Sequence, residues 1–312
     1  MSLAACFLLY STALLISGPP ALRALTKGSC APRLGVATWM IAIVSVMASW
    51  LASAVLIVVD EVAHWSQRHT FIDSCIEVLC RVMAGQSGSA PRSVLLLGAG
   101  AVVVFVVVVA VRLVCAAARF RSQAHGHAHG IRLVGRPILE QRTFVVDANV
   151  CAAYCVAGKP SAIVVTSAAV SALSEDEMNA VLAHEWAHVR GHHLEVTILL
   201  RAVASVLPRV PLMRDGAAEV TRLMEMCADD AAVRRFGRQA VLGGLFTLAG
   251  AGPVTALSAA DVAVVSRAER LTEPPVRRVR RFEVAAAGAA GLIVMAPPTA
   301  LSLAVSGLFM CS

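Results

Sequence analysis

Charge is scarce in this 312-residue chain: Asp, Glu, Lys and Arg make up 15% of it, against 58% hydrophobic residues. A soluble domain carries about 25% charge and 45–50% apolar residues. That shortfall, with a mean hydropathy of +0.74, excludes a wholly soluble globular enzyme, a disordered chain and a coiled coil. Lysine is nearly absent, with Lys27 and Lys159 the only two among 27 Lys and Arg residues. The Arg, Ala and Val bias points to a GC-rich, bacterial genome and carries no functional information. Aromatics are few, at 5%, and no internal repeat is visible. The net charge of +7 raises the question of nucleic acid. The basic residues lie beside apolar runs, which is the pattern of membrane topology and not of nucleic-acid binding.

Four segments are apolar enough to span a bilayer: 2–17, 36–59, 94–111 and 284–310. The second carries no charge, and its 24 residues reach roughly 36 Å as a helix, enough for a ~30 Å hydrocarbon core. The first lacks a positive leading region and is followed by a weak small-residue site, so it reads as a retained span and not a cleaved signal peptide. Gly18-Pro19-Pro20 ends it, and Arg112 closes the third. Pro297-Pro298 would kink the fourth, which leaves a re-entrant hairpin as an alternative there.

Loop 18–35 carries Arg23, Lys27 and Arg33 with no acid, while loop 60–93 is mixed. Arg112, Arg119, Arg121, Arg132 and Arg136 follow the third span, and Arg277-Arg278-Val279-Arg280-Arg281 precedes the fourth. The positive-inside rule places loop 18–35 and region 112–283 in the cytoplasm and both termini outside. The nine cysteines need no disulfide framework. Cys151, Cys155 and Cys227 would be thiols in reducing cytoplasm, and only Cys75 and Cys80, in the outer loop, are placed to pair. Three units follow: a three-span membrane region over 1–112, a soluble domain over 113–283, and a terminal membrane segment over 284–312.

Within the soluble domain, 143–147 and 162–166 are β-branched enough for short strands. Ser174 and Glu177 form a capping-box pair opening a helix that runs to about Arg190, with Gly191 as its stop. A second helix is expected over 217–235, ending near Gly237. Residues 196–207 are too short to span and predict a core helix or one lying against the bilayer.

The first of these helices carries His184-Glu185-Trp186-Ala187-His188. Helical positions i and i+4 share a face, so both imidazoles point at one metal, and Glu185 is placed to take a proton from a metal-bound water. A tetrahedral zinc open to water needs one more protein ligand. A third histidine six residues beyond His188 would supply it, but Leu194 occupies that position. His192 and His193 follow too closely on the same helix and are expected at its end or on the surface. The remaining candidate is Glu225, with Asp229 four residues on as the orienter of a ligand histidine.

Leu173-Ser174-Glu175-Asp176-Glu177, then Ala183-His184-Glu185-Trp186-Ala187-His188, then Glu225 with Ala228-Asp229, resembles the integral-membrane gluzincin metallopeptidases. The HtpX and CAAX-protease group and the BlaR/MecR group share this pattern. Three spans before the domain and one after it look more like BlaR/MecR. The resemblance implies a mainly α membrane protein of about four transmembrane helices, with a zincin-like α+β metallopeptidase domain between the third and fourth. It implies one Zn2+ per chain on His184, His188 and Glu225, with Asp229 behind them and Glu185 as general base. The substrate would be a penicillinase-repressor-type transcriptional regulator or a membrane protein. BlaR/MecR proteins carry a penicillin-binding sensor domain after the last span, whereas this chain stops at Ser312, so no covalent β-lactam sensing is expected on it.

Strand 162–166 is the expected docking edge for an extended peptide. Tyr154 and Arg222 are candidates for stabilising the oxyanion. His125, His127 and His129 form an alternating run on an expected loop, with a solvated linker as the plain interpretation. The same run supports a rival, a membrane metal-ion transporter, but no ionisable residue precedes Arg112 within the spans to line a pathway. A second rival is a catalytically latent scaffold or signalling protein, against which the retained Glu185 weighs.

Overall fold

The computed structural model describes residues 3–27, 31–65, 90–138, 142–158, 160–250 and 259–272, with helical residues at 285–286, 288–291 and 293. Three long helices come first: α1 (Leu3–Thr26), α2 (Pro32–Trp65) and α3 (Ala90–Val134). Four short strands follow, β1 (Arg136–Ile138), β2 (Thr143–Val146), β3 (Ala153–Val156) and β4 (Ala162–Thr166). The rest is helical: α4 (Ser167–Ala172), α5 (Glu175–Arg190), α6 (His193–Val206), α7 (Pro211–Gly250) and α8 (Ala259–Thr272).

Three of the described helices contain stretches long and apolar enough to cross a membrane: Leu3–Thr26, Pro32–Val59 and Gly100–Val134. Their outward side chains are apolar, as at Ile16, Leu51, Val55, Val104 and Val107, which fits lipid and not water. The expected boundaries differ at two ends. Pro19 and Pro20 lie inside α1, where Gly18 packs near Leu212 and Leu22 is buried, so tertiary packing carries the helix past its prolines. α3 continues past Arg112, because Ala128 and Ile131 are buried against the sheet. The expected fourth segment lies largely outside the described residues. At its near end the Ile293 carbonyl accepts a hydrogen bond from the Tyr10 hydroxyl at 3.0 Å. Cys75 and Cys80 also lie outside the described residues.

The sheet order is β1-β2-β4-β3, with β4 parallel to β2 and antiparallel to β3. Every residue of β4 is buried. One face of the sheet packs on α3 through Val164, Ala128 and Ile131; the other packs on α4 and α5 through Ile163, Val165, Ala169 and Val181. Coverage on both sides explains why Ala162–Val165 is a continuous apolar run and not an alternating one. β4 is therefore internal, which corrects the expectation that it could take up a peptide edge-on; β1 and β3 are the edge strands, and β3 is the one beside the cavity.

The largest core joins the long apolar helices to the rest of the chain. Trp39, Ala42, Ile43 and Val46 of α2 pack with Leu200 and Val203 of α6 and with Leu212, Met213, Val220 and Leu223 of α7. Close approach needs small residues at the crossings. A Cβ on Gly216 would stand 2.8 Å from Ile43 Cδ1 and 3.1 Å from Trp39, and one on Gly35 would stand 2.9 Å from Leu223. α6 thus takes the core role expected of 196–207. Arg23 of α1 pairs with Asp215 at 2.9 Å. Arg222 pairs with Glu219 at 2.8 Å and reaches the Thr26 carbonyl at 3.2 Å.

Candidate metal centre and active site

α5 carries the first half of the site, and its placement begins with its cap. Ser174 accepts from the Glu177 amide and Glu177 accepts from the Ser174 amide, completing the expected capping box, while three acids occupy the positive end of the helix dipole. The helix ends at Arg190, and Gly191 caps it. Ala180, Val181 and Ala183 anchor it in the core, turning His184, Glu185 and His188 toward a cavity of about 500 Å³.

α7 supplies the second half. At Gly237 it breaks, with φ 81°, a left-handed conformation that glycine adopts without a Cβ penalty. The arm before the break carries Glu225 and Asp229; the arm after it returns over the cavity with Val241, Leu245 and Leu248. The expected helix 217–235 thus lies inside a longer one that breaks at the expected glycine.

Three donor atoms converge. His184 Nε2 and His188 Nε2 are 3.1 Å apart, and each lies 3.4 Å from an oxygen of Glu225. A tetrahedron built on zinc–ligand bonds of about 2.0–2.1 Å has edges of about 3.3 Å, so the set fits zinc in spacing and in its two nitrogens and one oxygen. Among the described residues, this is the one group of three His, Cys, Asp or Glu side chains close enough to hold an ion.

Both imidazoles are held from behind. His184 Nδ1 lies 3.0 Å from Asp229, which is 1% exposed. His188 Nδ1 lies 2.9 Å from His193 Nδ1. An outer partner on the second ring nitrogen fixes the tautomer and the ring plane of a ligand histidine. His193 lies just past the end of α5, one of its two expected places, but it faces inward and not to the surface: the left-handed turn at His192, φ 54°, swings α6 so that its first residue faces α5. His192 itself is exposed, as expected, 3.9 Å from Glu195.

Arg267 of α8 is the site residue that the sequence did not reveal. Its Nε and Nη2 meet the two oxygens of Asp229 at 2.8 and 2.6 Å, and its Nη1 lies 3.3 Å from Glu225. The available signal was the pair Asp229-Asp230, two adjacent acids on one helix. Arg267 and Arg270, three apart on another, answer them, with Arg270 on Asp230 at 2.8 Å.

The electrostatics follow from this packing. Burial opposes charge on His184, but the carboxylates of Asp229 and Glu225 overcome it and raise its pKa to about 9. Burial pushes His188 down to about 4. Glu225 and Asp229, though buried, are held down at about 2, chiefly by hydrogen bonds to His184. Burial pushes Glu185 up to about 7, against the pull of His184 and of a hydrogen bond from the Cys155 amide. A carboxylate with a pKa near neutrality is suited to taking and returning a proton.

Tyr154 and Cys155 of β3 line the cavity mouth. The His run lies within α3 and not on a loop, and Tyr154 stacks on His127 at 6.0 Å. Arg222 is tied to Glu219 and the end of α1 and does not line the cavity, which speaks for a structural role.

A part-buried His-His-Glu cluster on crossing helices, beside a carboxylate and an edge strand, is the arrangement of a zincin-type metallopeptidase centre. The family model for peptidase family M48 matches residues 118–283, and the chain belongs to that family. No curated protein and no solved structure matches it.

Proposed function

We propose that the chain is a membrane-embedded zinc endopeptidase whose active site faces the cytoplasm. The three units 1–112, 113–283 and 284–312 would be its membrane region, catalytic domain and terminal span. His184, His188 and Glu225 would hold the zinc ion, with Asp229 and His193 orienting the two histidines. Zinc in such a centre supplies Lewis-acid polarisation of the scissile carbonyl and activation of water. The Glu185 carboxylate accepts the proton of the attacking water and returns it to the leaving amine nitrogen. The observation that carries this proposal is the 3.1–3.4 Å triangle of donor atoms with Glu185 in the same cavity.

The substrate would lie along β3. Just before β3 the Ala152 carbonyl accepts from the Thr166 amide of β4, so alternation turns the polar groups of Ala153 and the carbonyl of Cys155 toward the open edge, while the Cys155 amide is taken by Glu185. An extended peptide pairing there would run past Glu185. Substrates of this kind are a cytoplasmic regulator of the penicillinase-repressor type, as in BlaR/MecR-like proteins, or a membrane protein.

The test compares detergent-purified wild type with Glu185→Ala in a casein-type proteolysis assay. Cleavage by wild type alone supports the proposal, and equal cleavage by both removes Glu185 from its role.

A further inference from the structure

A second cavity, of about 590 Å³, flanks α5 next to the site, with His193 and Met224 lining both. Arg33, Arg190, Arg234 and Arg235 line it, from three different helices, and among the described residues no Asp or Glu does. Among the described residues, Arg23, Arg214, Arg222, Arg267 and Arg270 each pair with a carboxylate, whereas none of these four does. Arg190 lies over the Trp186 ring at 6.0 Å, which leaves its fork free for an oxyanion. Four guanidinium groups around one cavity repel one another, and a multivalent anion relieves that repulsion.

We infer that this cavity binds a phosphate-bearing anion, and that its source is the headgroup of an anionic phospholipid. Arginine forks match phosphate oxygens in bidentate geometry. The position of Arg33 argues for lipid. It stands in the first turn of α2, immediately before the charge-free run 36–59, where a spanning helix meets the headgroups. Arg234 and Arg235, further along α7, would close on the phosphate from the aqueous side. The cavity is lined by Ala187, Gly191 and His193 as well, so the bound headgroup would rest against α5. The inference needs no catalytic assignment.

The experiment uses the full chain in detergent. Short-chain phosphatidylglycerol, short-chain phosphatidylcholine and inorganic phosphate are titrated separately, with binding read by native mass spectrometry and by thermal shift. Saturable binding of phosphatidylglycerol, weakened about tenfold or more in R234Q/R235Q, is expected from the loss of charged hydrogen bonds. The control R119Q/R121Q removes the same charge from exposed positions on α3 and should leave affinity within about twofold. Saturation by inorganic phosphate as tight as by the lipid would keep the site and overturn the lipid source. Equal loss in both variants would show general surface charge and overturn the site, as would no saturable binding in wild type. Binding retained in E185A while proteolysis is lost separates this inference from the peptidase reading.

Discussion

Arg267 holds Asp229 in a two-pronged grip, 2.6 and 2.8 Å long, while Asp229 holds the outer nitrogen of His184. The order of the candidate metal site thus depends on α8, whose Arg267 lies 38 residues beyond Asp229. Removing one member of a buried ion pair leaves the other charge uncompensated, at about 3–5 kcal/mol. R267Q should therefore destabilise the metal-free protein by an amount of that order and lower its zinc affinity. R267K, a point charge without the fork, should recover part of the stability. Denaturant titration and competitive chelation check both; wild-type values in R267Q would show that the grip has no energetic role.

His193 makes a narrower prediction. It touches His188 from behind, so H193A should keep the fold and weaken zinc binding about 10–100-fold, the usual cost of losing an outer partner. H192A, at the exposed neighbour, should change neither quantity. Chelator competition on the two variants separates them.

The pH dependence of metal uptake follows from the two histidines. A ligand imidazole must be neutral. His188, near 4, is already neutral at pH 7, but His184, near 9, carries a proton that the metal must displace. Zinc affinity should therefore rise about tenfold per pH unit between about pH 5 and 8 and flatten above about 9. Calorimetry in buffers of different ionisation enthalpy should read close to one proton released per ion. Stability of the metal-free protein runs the other way at this residue. The raised pKa of His184 contributes stability that is full below about 6.5 and is lost as pH rises through about 9.

A fourth prediction concerns the joint between the apolar helix α2 and α7. A Cβ at Gly216 would meet Ile43 and Trp39 at 2.8 and 3.1 Å. G216V should overpack this crossing and cost about 1–3 kcal/mol, seen as a lower Tm in detergent.

Much of this was legible in the sequence because the carriers were local. The HExxH spacing, the Ser174–Glu177 capping box and the Gly191 and Gly237 breaks are signals contained within one element, and each stands where it was expected. What was missed is non-local. Arg267 belongs to no motif, and only packing of α8 on α7 brings it to Asp229. His193 reaches His188 because the left-handed turn at His192 ends α5 and redirects the chain, a backbone change that no local motif announces. The run His125–His129 looked like a loop because glycine and alternation weaken a helix, yet burial of Ala128 and Ile131 under the sheet keeps α3 helical there. β3 carries no strong strand signal; it forms because β4 offers it a partner.

Zinc stoichiometry tests the central claim most directly. Elemental analysis of the detergent-purified chain should give one zinc per chain in wild type and in E185Q, and a marked loss in H188A and E225A. Full zinc content in H188A and E225A, or none in wild type, would contradict the metal centre and the peptidase mechanism built on it.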